Sequence, residues 1–454
     1  MTSQKNYWKA RSKDMVGITK MKAEKQKAEK EAFFCTTKEL SRLGLEQIPT
    51  QFQSHKHLIY SSPATLAFNS PGAEGFGVKR AGLAVPDSIM LIVAPGCCGR
   101  NTSLISSMKE YNDRFYYLMM DETDIVTGRH LKKIPKAVEE ICSVCPKKPS
   151  VVMICITCVD ALLGTDMERV CKKAEEQVEI PVRPCYMYAL TREGRKPPMV
   201  HVRQSLYSLL EPGKKKGNVV NLLGFFSPLV DDCEIYDLLH SAGVKTIHEI
   251  SRCKDYMEYQ TMSEANFNLV LHHEARFAAE DFHNRLQIPF IELRRLYQID
   301  KIENQYHALG NALGVAFYDE KYKKQAEDAL EKFRQRCPDA SFAIGECLNA
   351  DPFELSLALI RYGFSVPEIY GTITVENFTY IRSLAKISPE TKVFSNMEPT
   401  MIYYDPAKSD VNLAIGKDAC YYHPDCPYVM WNGEEQPYGY AGVRRLFEQL
   451  LEVV

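Results

Sequence analysis

The chain has 454 residues, of which 45% are hydrophobic and 25% are charged, as in ordinary globular proteins and unlike disordered or fibrous ones. This length exceeds what one hydrophobic core usually organises, so we expect about three domains. The 56 basic and 58 acidic residues leave a net charge of −2, which is too small to attract a nucleic-acid backbone. No nucleic-acid partner is therefore expected.

The apolar runs of the sequence are strand-sized and much shorter than the roughly 20 residues of a membrane span. The N-terminus is lysine-rich and lacks the apolar segment of a secretory signal. We therefore expect a cytoplasmic protein without a membrane partner. In that reducing compartment the 15 cysteines are expected to be thiols or metal ligands rather than disulfides.

Residues 1–80 predict an N-terminal arm followed by a loop. Residues 14–34 are rich in Lys, Glu and Ala, with apolar residues loosely spaced for one helical face, which indicates a solvated helix. A docking helix for a partner subunit is the alternative interpretation. Glycine and proline punctuate residues 61–82, which indicates a loop.

Residues 81–215 predict the first α/β domain. Residues 88–94 form a continuous apolar run that ends at Pro95 and Gly96, and such runs are typical of strands buried on both faces of a parallel sheet. Further strands are predicted at residues 116–120, 151–156 and 182–187, with amphipathic helices at residues 131–144 and 166–177. This alternation predicts a doubly wound domain.

The same alternation continues towards the C-terminus. After a linker rich in Gly and Lys, residues 216–315 predict a second domain and residues 316–454 a third. Their predicted strands are residues 218–226, 244–250, 268–272, 288–291, 341–345, 393–395 and 411–414. We therefore predict an α/β fold of three doubly wound, Rossmann-like parallel-sheet domains around a central cleft. Ligands in such sheets sit outside the carboxyl ends of the strands.

Two predicted strands of the first domain end at cysteines. Cys97 and Cys98 follow the strand at residues 88–94, and Cys158 follows the strand at residues 151–156. Thiolate is the usual protein ligand of an iron-sulfur cluster, and glycines beside such a cysteine let backbone amides approach the cluster. An iron-sulfur site at this sheet edge is one interpretation, and small, buried, unreactive thiols are the other.

Cysteine spacing also offers a zinc interpretation. Cys142-x-x-Cys145 precedes Cys155-x-x-Cys158. The gap between the two pairs is shorter than the roughly 15 to 20 residues of a zinc ribbon, and Cys155 lies inside an apolar strand. Iron-sulfur ligation is therefore favoured over zinc.

The residues around the strand-end cysteines resemble nitrogenase component 1 proteins. The loop Ala94-Pro-Gly-Cys-Cys-Gly-Arg100 resembles the family's Gly-Pro-x-Gly-Cys loop, and Asp121-Glu-Thr-Asp-Ile-Val-Thr-Gly128 is similar to its Asp-Ile-Val-Phe-Gly-Gly element. Residues 156–167 are similar to the family's strand-end cysteine followed by glycine and a paired acidic residue. The order and approximate spacing also match, and the resemblance extends from about Ser61 to near the C-terminus.

The resemblance implies an iron-sulfur cluster of four irons or more that is shared across a subunit interface. Cys98 and Cys158 match two of the three cysteines that each family subunit offers to this cluster, and Cys97 is the adjacent thiol. The family's first cysteine should fall near Ser70, where this chain has none. A four-iron cluster bridged by two cysteines from each side of a dimer needs no more than this chain offers.

At the family's second metal site this sequence departs further from the pattern. The family holds its cofactor by a cysteine at a second-domain strand end and by a histidine near the C-terminus. This chain reads Leu271-His272-His273-Glu274 at the first position and Val429-Met430-Trp431-Asn432 at the second. His272 is a candidate metal ligand, with a hydrogen-bonded structural histidine as the alternative. A molybdenum- or vanadium-type nitrogenase is not expected.

The resemblance implies an oxidoreductase that works in a multi-subunit complex. We expect an iron-sulfur subunit of a two-component reductase, which accepts electrons from an ATP-hydrolysing iron-sulfur reductase and passes them to a substrate. The sequence has no Walker A phosphate loop, so ATP enters only through that partner. A homologous subunit is expected to complete a homo- or heterodimer or a tetramer. The alternatives are a scaffold for metallocofactor assembly and a cluster-free pseudo-subunit of a heterodimer.

Overall fold

A computed structural model describes residues 31–53, 63–64, 77–96, 111–156, 163–186 and 196–454. These residues form an α/β protein with three sheets in which parallel pairing predominates. The predicted α/β class with parallel sheets is therefore confirmed. None of the helices within these ranges is long and apolar enough to cross a membrane.

The N-terminal part of the described chain joins the last sheet. Strand β1 (Phe34–Thr36) pairs antiparallel with residues 392–394. Helix α1 (Thr37–Leu43) follows directly and is capped by the Thr36 side chain, and a short helix α2 lies at Val78–Ala81. The helix predicted for the preceding arm falls almost wholly outside the described residues.

The first sheet is built from one continuous stretch of the chain. Its elements are β2 (Ile89–Ala94), β3 (Phe115–Met119), α3 (Glu122–Thr127), α4 (His130–Val144), β4 (Val152–Ile156), α5 (Met167–Val178), β5 (Val182–Tyr186) and α6 (Pro198–Tyr207). The strands are parallel in the order β3-β2-β4-β5. Side chains of β2 alternate between two buried clusters, with Met90 and Ile92 on one face and Leu91 and Val93 on the other. Burial on both faces therefore explains the uninterrupted apolar run of this strand.

The second sheet also has four parallel strands. Its elements are β6 (Lys216–Leu223), α7 (Glu234–Ser241), β7 (Thr246–His248), α8 (Tyr256–Gln260), β8 (Ala265–Val270), α9 (Arg276–Leu286), β9 (Phe290–Glu292) and α10 (Ile299–Leu313). The strand order is β7-β6-β8-β9. Asn221 and Asn268 are buried and in register on the two central strands, and Asn221 Nδ2 donates to Asn268 Oδ1 at 2.7 Å. This bond joins the centre of the sheet.

The third sheet is the widest. Its elements are α11 (Glu320–Arg336), β10 (Ser341–Ile344), α12 (Pro352–Arg361), β11 (Ser365–Tyr370), α13 (Phe378–Ile387), β12 (Lys392–Phe394), β13 (Leu413–Ile415), α14 (Lys417–Tyr422), β14 (Tyr428–Val429) and α15 (Gly439–Val453). The strand order is β1-β12-β11-β10-β13-β14, and β1 is its one antiparallel member. Helices α11 and α15 pack against each other.

Hydrophobic contacts run from one sheet to the next. One buried cluster contains Leu222 of the second sheet and Ile344 of the third, and another contains Met153 of the first sheet and Val270 of the second. Because these hydrophobic cores are shared between sheets, they do not define domain boundaries. The domain bounds expected at residues 1–80, 81–215, 216–315 and 316–454 therefore stay a prediction.

Each sheet has one point at which its strand order reverses. In the first sheet the chain goes from β2 out to β3 and then returns to the other side of β2 at β4; β6 with β8, and β10 with β13, mark the same points in the other sheets. Ligands of open α/β sheets bind outside the carboxyl ends of the strands at such switch points. The residues that follow these six strands therefore lie where a ligand is expected.

Candidate metal and cofactor site

Strands β2 and β4, which precede Cys97, Cys98 and Cys158 in the sequence, flank the switch point of the first sheet. The neighbouring parallel strands β2 and β4 end within one residue of each other in register, at Ala94 and Ile156. The three cysteines themselves lie outside the described residues, so their role as iron-sulfur ligands stays a prediction. The two strands end side by side on one sheet edge, as that role needs.

The described cysteines do not support the zinc interpretation. Cys142 and Cys145 pack against the buried cluster on one face of the first sheet, whereas Cys155 belongs to the cluster on the opposite face, in register with Cys185 of β5. One tetrahedral site cannot be shared across a packed sheet. Within the described ranges, no three His, Cys, Asp or Glu side chains are grouped so that they could hold a metal ion.

His272 follows β8 at the second switch point and touches the end of β6. Gly224, directly after β6, has a φ of 140°, and a Cβ atom built on it would lie 2.8 Å from His272 N and 2.9 Å from His272 Cβ. Glycine alone suits both this backbone conformation and this close approach. The two strand ends therefore hold His272 at their junction.

Gly224→Ala should strongly destabilise the protein, because the added methyl group meets backbone atoms that cannot turn away. We expect a loss of about 2–4 kcal/mol in the free energy of unfolding, measured by urea denaturation. Gly243→Ala is the matched control, because Gly243 also has a positive φ of 88° but has nothing within 4 Å of a built Cβ atom. It should cost only about 1–2 kcal/mol. Equal losses would contradict the close packing of the strand ends.

The imidazole of His272 is held between aromatic neighbours. It is stacked on His273 with 4.5 Å between ring centroids, and it meets Phe225 edge-on at 5.8 Å. Desolvation of the partly buried ring, with cationic side chains nearby, lowers the pKa of His272 well below its ordinary value. The ring is therefore neutral near pH 7, which is the state that binds metals, and 33% of the side chain remains exposed.

Glu274 is placed to orient His272. Its Oε2 lies 3.7 Å from His272 Nδ1 and accepts a hydrogen bond from Arg203 Nη1 at 2.8 Å. Arg203 also donates to Gly224 O at 2.7 and 3.0 Å, which ties the carboxylate to the strand end. His272 Nδ1 itself accepts a hydrogen bond from Glu274 N at 3.3 Å, so the backbone of Glu274 fixes the orientation of the ring.

Arg295 is the second arginine near His272, after Arg203. The described residues give its guanidinium no carboxylate partner. It lies over the Phe225 ring, 4.4 Å from the centroid, and its Nη2 donates to Gln436 Oε1 at 2.6 Å. Its buried Nε has no hydrogen-bond partner in the described part of the chain. Desolvation lowers the pKa of Arg295, but guanidinium stays charged. A cation that lacks a counter-charge beside His272 favours an anionic ligand.

Two carboxyl groups meet at the third switch point. Asp418 is buried and accepts hydrogen bonds from Glu346 N at 2.8 Å and from Cys347 N at 2.9 Å. Glu346 accepts from Thr372 N at 2.9 Å. Burial, together with the Asp418 charge, raises the pKa of Glu346 to about 7, and burial also raises the pKa of Asp418. Glu346 can therefore give or take a proton near neutral pH.

Wild type should lose stability as the pH rises through the folded pKa of Glu346, and Glu346→Gln should remove this loss. The folded chain holds the Glu346 proton up to a pKa of about 7, whereas the ordinary value is 4.5. The folded state binds more protons between these values, so this stabilisation is complete below pH 4.5 and is lost as the pH rises through the folded pKa. We expect the stability of the variant, relative to wild type, to rise by about 1–3 kcal/mol from about pH 5 to about pH 8 in urea denaturation. A pH-independent difference would contradict the raised pKa.

A family model for nitrogenase component 1 type oxidoreductases matches residues 74–454. The chain belongs to this family. The resemblance inferred from the cysteine loops is thereby confirmed, and it extends from the first sheet through the other two.

Curated relatives within the family are nitrogenase iron-molybdenum cofactor biosynthesis proteins named NifE. The protein of Sinorhizobium fredii is 25% identical over 418 residues, which cover 86% of this chain and 82% of the relative. The protein of Mesorhizobium japonicum is 24% identical over 418 residues, with the same coverage. A solved structure of nitrogenase Cp1 at pH 6.5 matches with a TM-score of 0.68 and 18% identity over 87% of this chain and 93% of that one. The similarity to this solved structure shows a shared fold.

The resemblance expects the family's C-terminal cofactor histidine in the region of residues 429–432, and this region contains Trp431 and no histidine. Trp431 is buried, and its Nε1 donates to the Tyr297 hydroxyl at 2.6 Å. Its backbone O accepts from Asn349 N at 2.7 Å. The position therefore contributes packing and structural hydrogen bonds, and it offers no imidazole to a metal.

The second switch point fits an anionic metal-sulfur cofactor, because it combines a neutral histidine with the orphaned guanidinium nitrogen of Arg295. The sequence predicted His272 as a candidate ligand at this place and did not indicate Arg203 or Arg295. An arginine inside the apolar stretch of α6 is a local signal for a buried charge, and it could have identified Arg203. Arg295 had no such signal, because its contacts Phe225 and Gln436 are far away in the sequence.

Proposed function

We propose that this chain is a scaffold subunit that holds a metallocofactor during assembly and then releases it. The observation that carries the proposal is the second switch point, where His272 and Arg295 would hold an anionic metal cofactor. Residues 429–432, the region in which the family has its second cofactor ligand, contain no histidine. Fewer protein ligands mean a weaker hold on a metal, which suits temporary binding. The relatives named as cofactor biosynthesis proteins support the same function.

At the first switch point we propose an iron-sulfur cluster of four irons or more. Cys98 and Cys158, with Cys97 beside them, are too few thiolates for four-cysteine ligation, so a second subunit must supply the rest. The edge strand β3 supports an interface on this side, because Met119 is 62% exposed and Tyr117 is 41% exposed. The Tyr117 hydroxyl reaches the end of β2 at 2.9 Å. The proposed partner is a homologous subunit in a homo- or hetero-oligomer.

In the proposed scaffold, each residue of the second switch point has a defined task. His272 would bind a metal of the cofactor, Glu274 and Arg203 would hold the ring in position, and Arg295 would pair with an anionic group. The cofactor itself supplies redox-active metal centres when bound. Electrons are proposed to come from an ATP-hydrolysing iron-sulfur reductase, so ATP acts only through that partner.

An electron-accepting subunit of a two-component reductase is the second candidate function. The observation that favours it is the common origin of the two cysteine segments on one sheet edge, which suits a resident electron-transfer cluster. In that case the cluster would pass electrons to a substrate, and the chain would keep its metal. A cluster-free pseudo-subunit would bind no iron at all.

Anaerobic purification with iron and sulfide analysis and electron paramagnetic resonance separates these functions. The loaded protein is then incubated with a metal-free acceptor subunit of the same family and separated from it by size. A scaffold should lose metal from this chain while the acceptor gains it. Metal that stays on this chain throughout would favour the reductase subunit, and protein without iron or sulfide would contradict both.

A further inference from the structure

A basic groove lies between two helices that are distant in the sequence. Helices α1 and α13 pack side by side, and the groove between them has a volume of about 530 Å³. Its charged lining residues are Lys38 and Arg42 from α1 and Arg382 and Lys386 from α13. All four side chains are exposed, and no acidic residue lines the groove. The groove therefore carries four positive charges and no negative one.

The described residues place few carboxylates near the four cationic side chains of this groove. Among the described residues, no carboxylate lies within ion-pair distance of Arg42, Arg382 or Lys386. Lys38 is 3.9 Å from Glu390, but both side chains are largely exposed, and such pairs contribute little. Arg42 and Lys386 lie in the last turns of their helices, where they also favour the helix dipole. Lys38 and Arg382 lie outside the last turns of their helices, so interaction with the helix dipole does not explain their positions.

We propose that this groove binds a compact oligophosphate, either free or as the phosphate tail of a nucleotide. On each helix the two cations are four residues apart, which places them one turn, about 6 Å, from each other along the axis. Two such rows suit a di- or triphosphate group and are too short for a nucleic-acid strand. The hydroxyls of Ser41 and Thr379 also line the groove and can donate to phosphate oxygens, whereas the Ser383 hydroxyl donates to Thr379 O at 3.1 Å.

The groove shares no residue with the second switch point, so the proposal is independent of the proposed scaffold function. Inorganic pyrophosphate is the probe, and its binding to the full-length protein is measured by isothermal titration calorimetry at low ionic strength and at about 0.15 M salt. We expect one site per chain, with tripolyphosphate binding at least as tightly and orthophosphate more weakly. ATP binding as tightly as tripolyphosphate indicates recognition of the phosphates alone, and tighter ATP binding indicates a nucleotide.

The variant Arg42→Gln/Arg382→Gln should weaken pyrophosphate binding by at least about tenfold, because it removes two charge-assisted contacts from opposite sides of the groove. Both side chains are exposed, so folding should be unaffected. Lys324→Gln/Arg336→Gln is the charge-matched control on the exposed surface of α11, and it should bind as wild type does. Absence of pyrophosphate binding by wild type, or an equal loss in both variants, would overturn the proposal.

Discussion

A Cys158→Ala protein is expected to lose its iron-sulfur cluster. If Cys98 and Cys158 are the two thiolates that this chain offers, removal of one leaves a single ligand from this side, and a four-iron cluster cannot be held by it. We expect the iron and sulfide content and the visible absorption of the anaerobic protein to fall to background. Folding should persist, because β4 itself ends before this position and its core contacts are unchanged.

Two further cysteine variants sharpen this test. Cys337→Ala is the control, because Cys337 is a free, partly buried thiol at the end of α11, and its removal should leave the iron content unchanged. Cys97→Ala and Cys98→Ala, compared with each other, identify which of the adjacent thiols is the ligand. Full iron content in the Cys158→Ala protein, or equal loss in the Cys337→Ala protein, would rule out the assigned ligands.

Apolar runs predicted the central strands of the first sheet closely. The strands expected at residues 88–94 and 151–156 are found at Ile89–Ala94 and Val152–Ile156, because strands that are buried on both faces carry an uninterrupted apolar signal. The short strand β7 was predicted less well. It was expected at residues 244–250 and spans only Thr246–His248, since an edge strand of three residues has little pattern of its own.

Features that depend on distant partners could not be predicted from local pattern. Strand β1 has only three residues and is defined by its pairing with β12, which lies near the other end of the chain. Glu346 and Asp418 are 72 residues apart, and each alone is an ordinary acidic residue at the end of a strand. Their meeting follows from the strand order of the third sheet, in which β13 returns to the side of β10.

Arg295→Met should weaken cofactor binding and also make the cofactor-free protein more stable. Methionine keeps an apolar contact with Phe225 but carries no charge. Because the described residues give the Arg295 guanidinium no carboxylate partner, its burial costs free energy in the empty protein, and its removal should stabilise the fold by about 1–3 kcal/mol. The loss of a charge-assisted bond to an anionic cofactor should weaken cofactor binding by about tenfold to a hundredfold.

Arg295→Met is expected to weaken cofactor binding and to stabilise the cofactor-free protein. This combination distinguishes a ligand-binding arginine from a structural one. Removal of a structural arginine lowers the unfolding midpoint and lowers metal content only through misfolding. Metal retention after anaerobic gel filtration and the thermal midpoint of the metal-free protein are measured on the same preparations. Arg294→Met is the control, since Arg294 is exposed beside the site and its loss should change neither quantity by much. An Arg295→Met protein that is less stable than wild type, or that retains its metal as well as Arg294→Met does, would show that Arg295 serves the fold and not the cofactor.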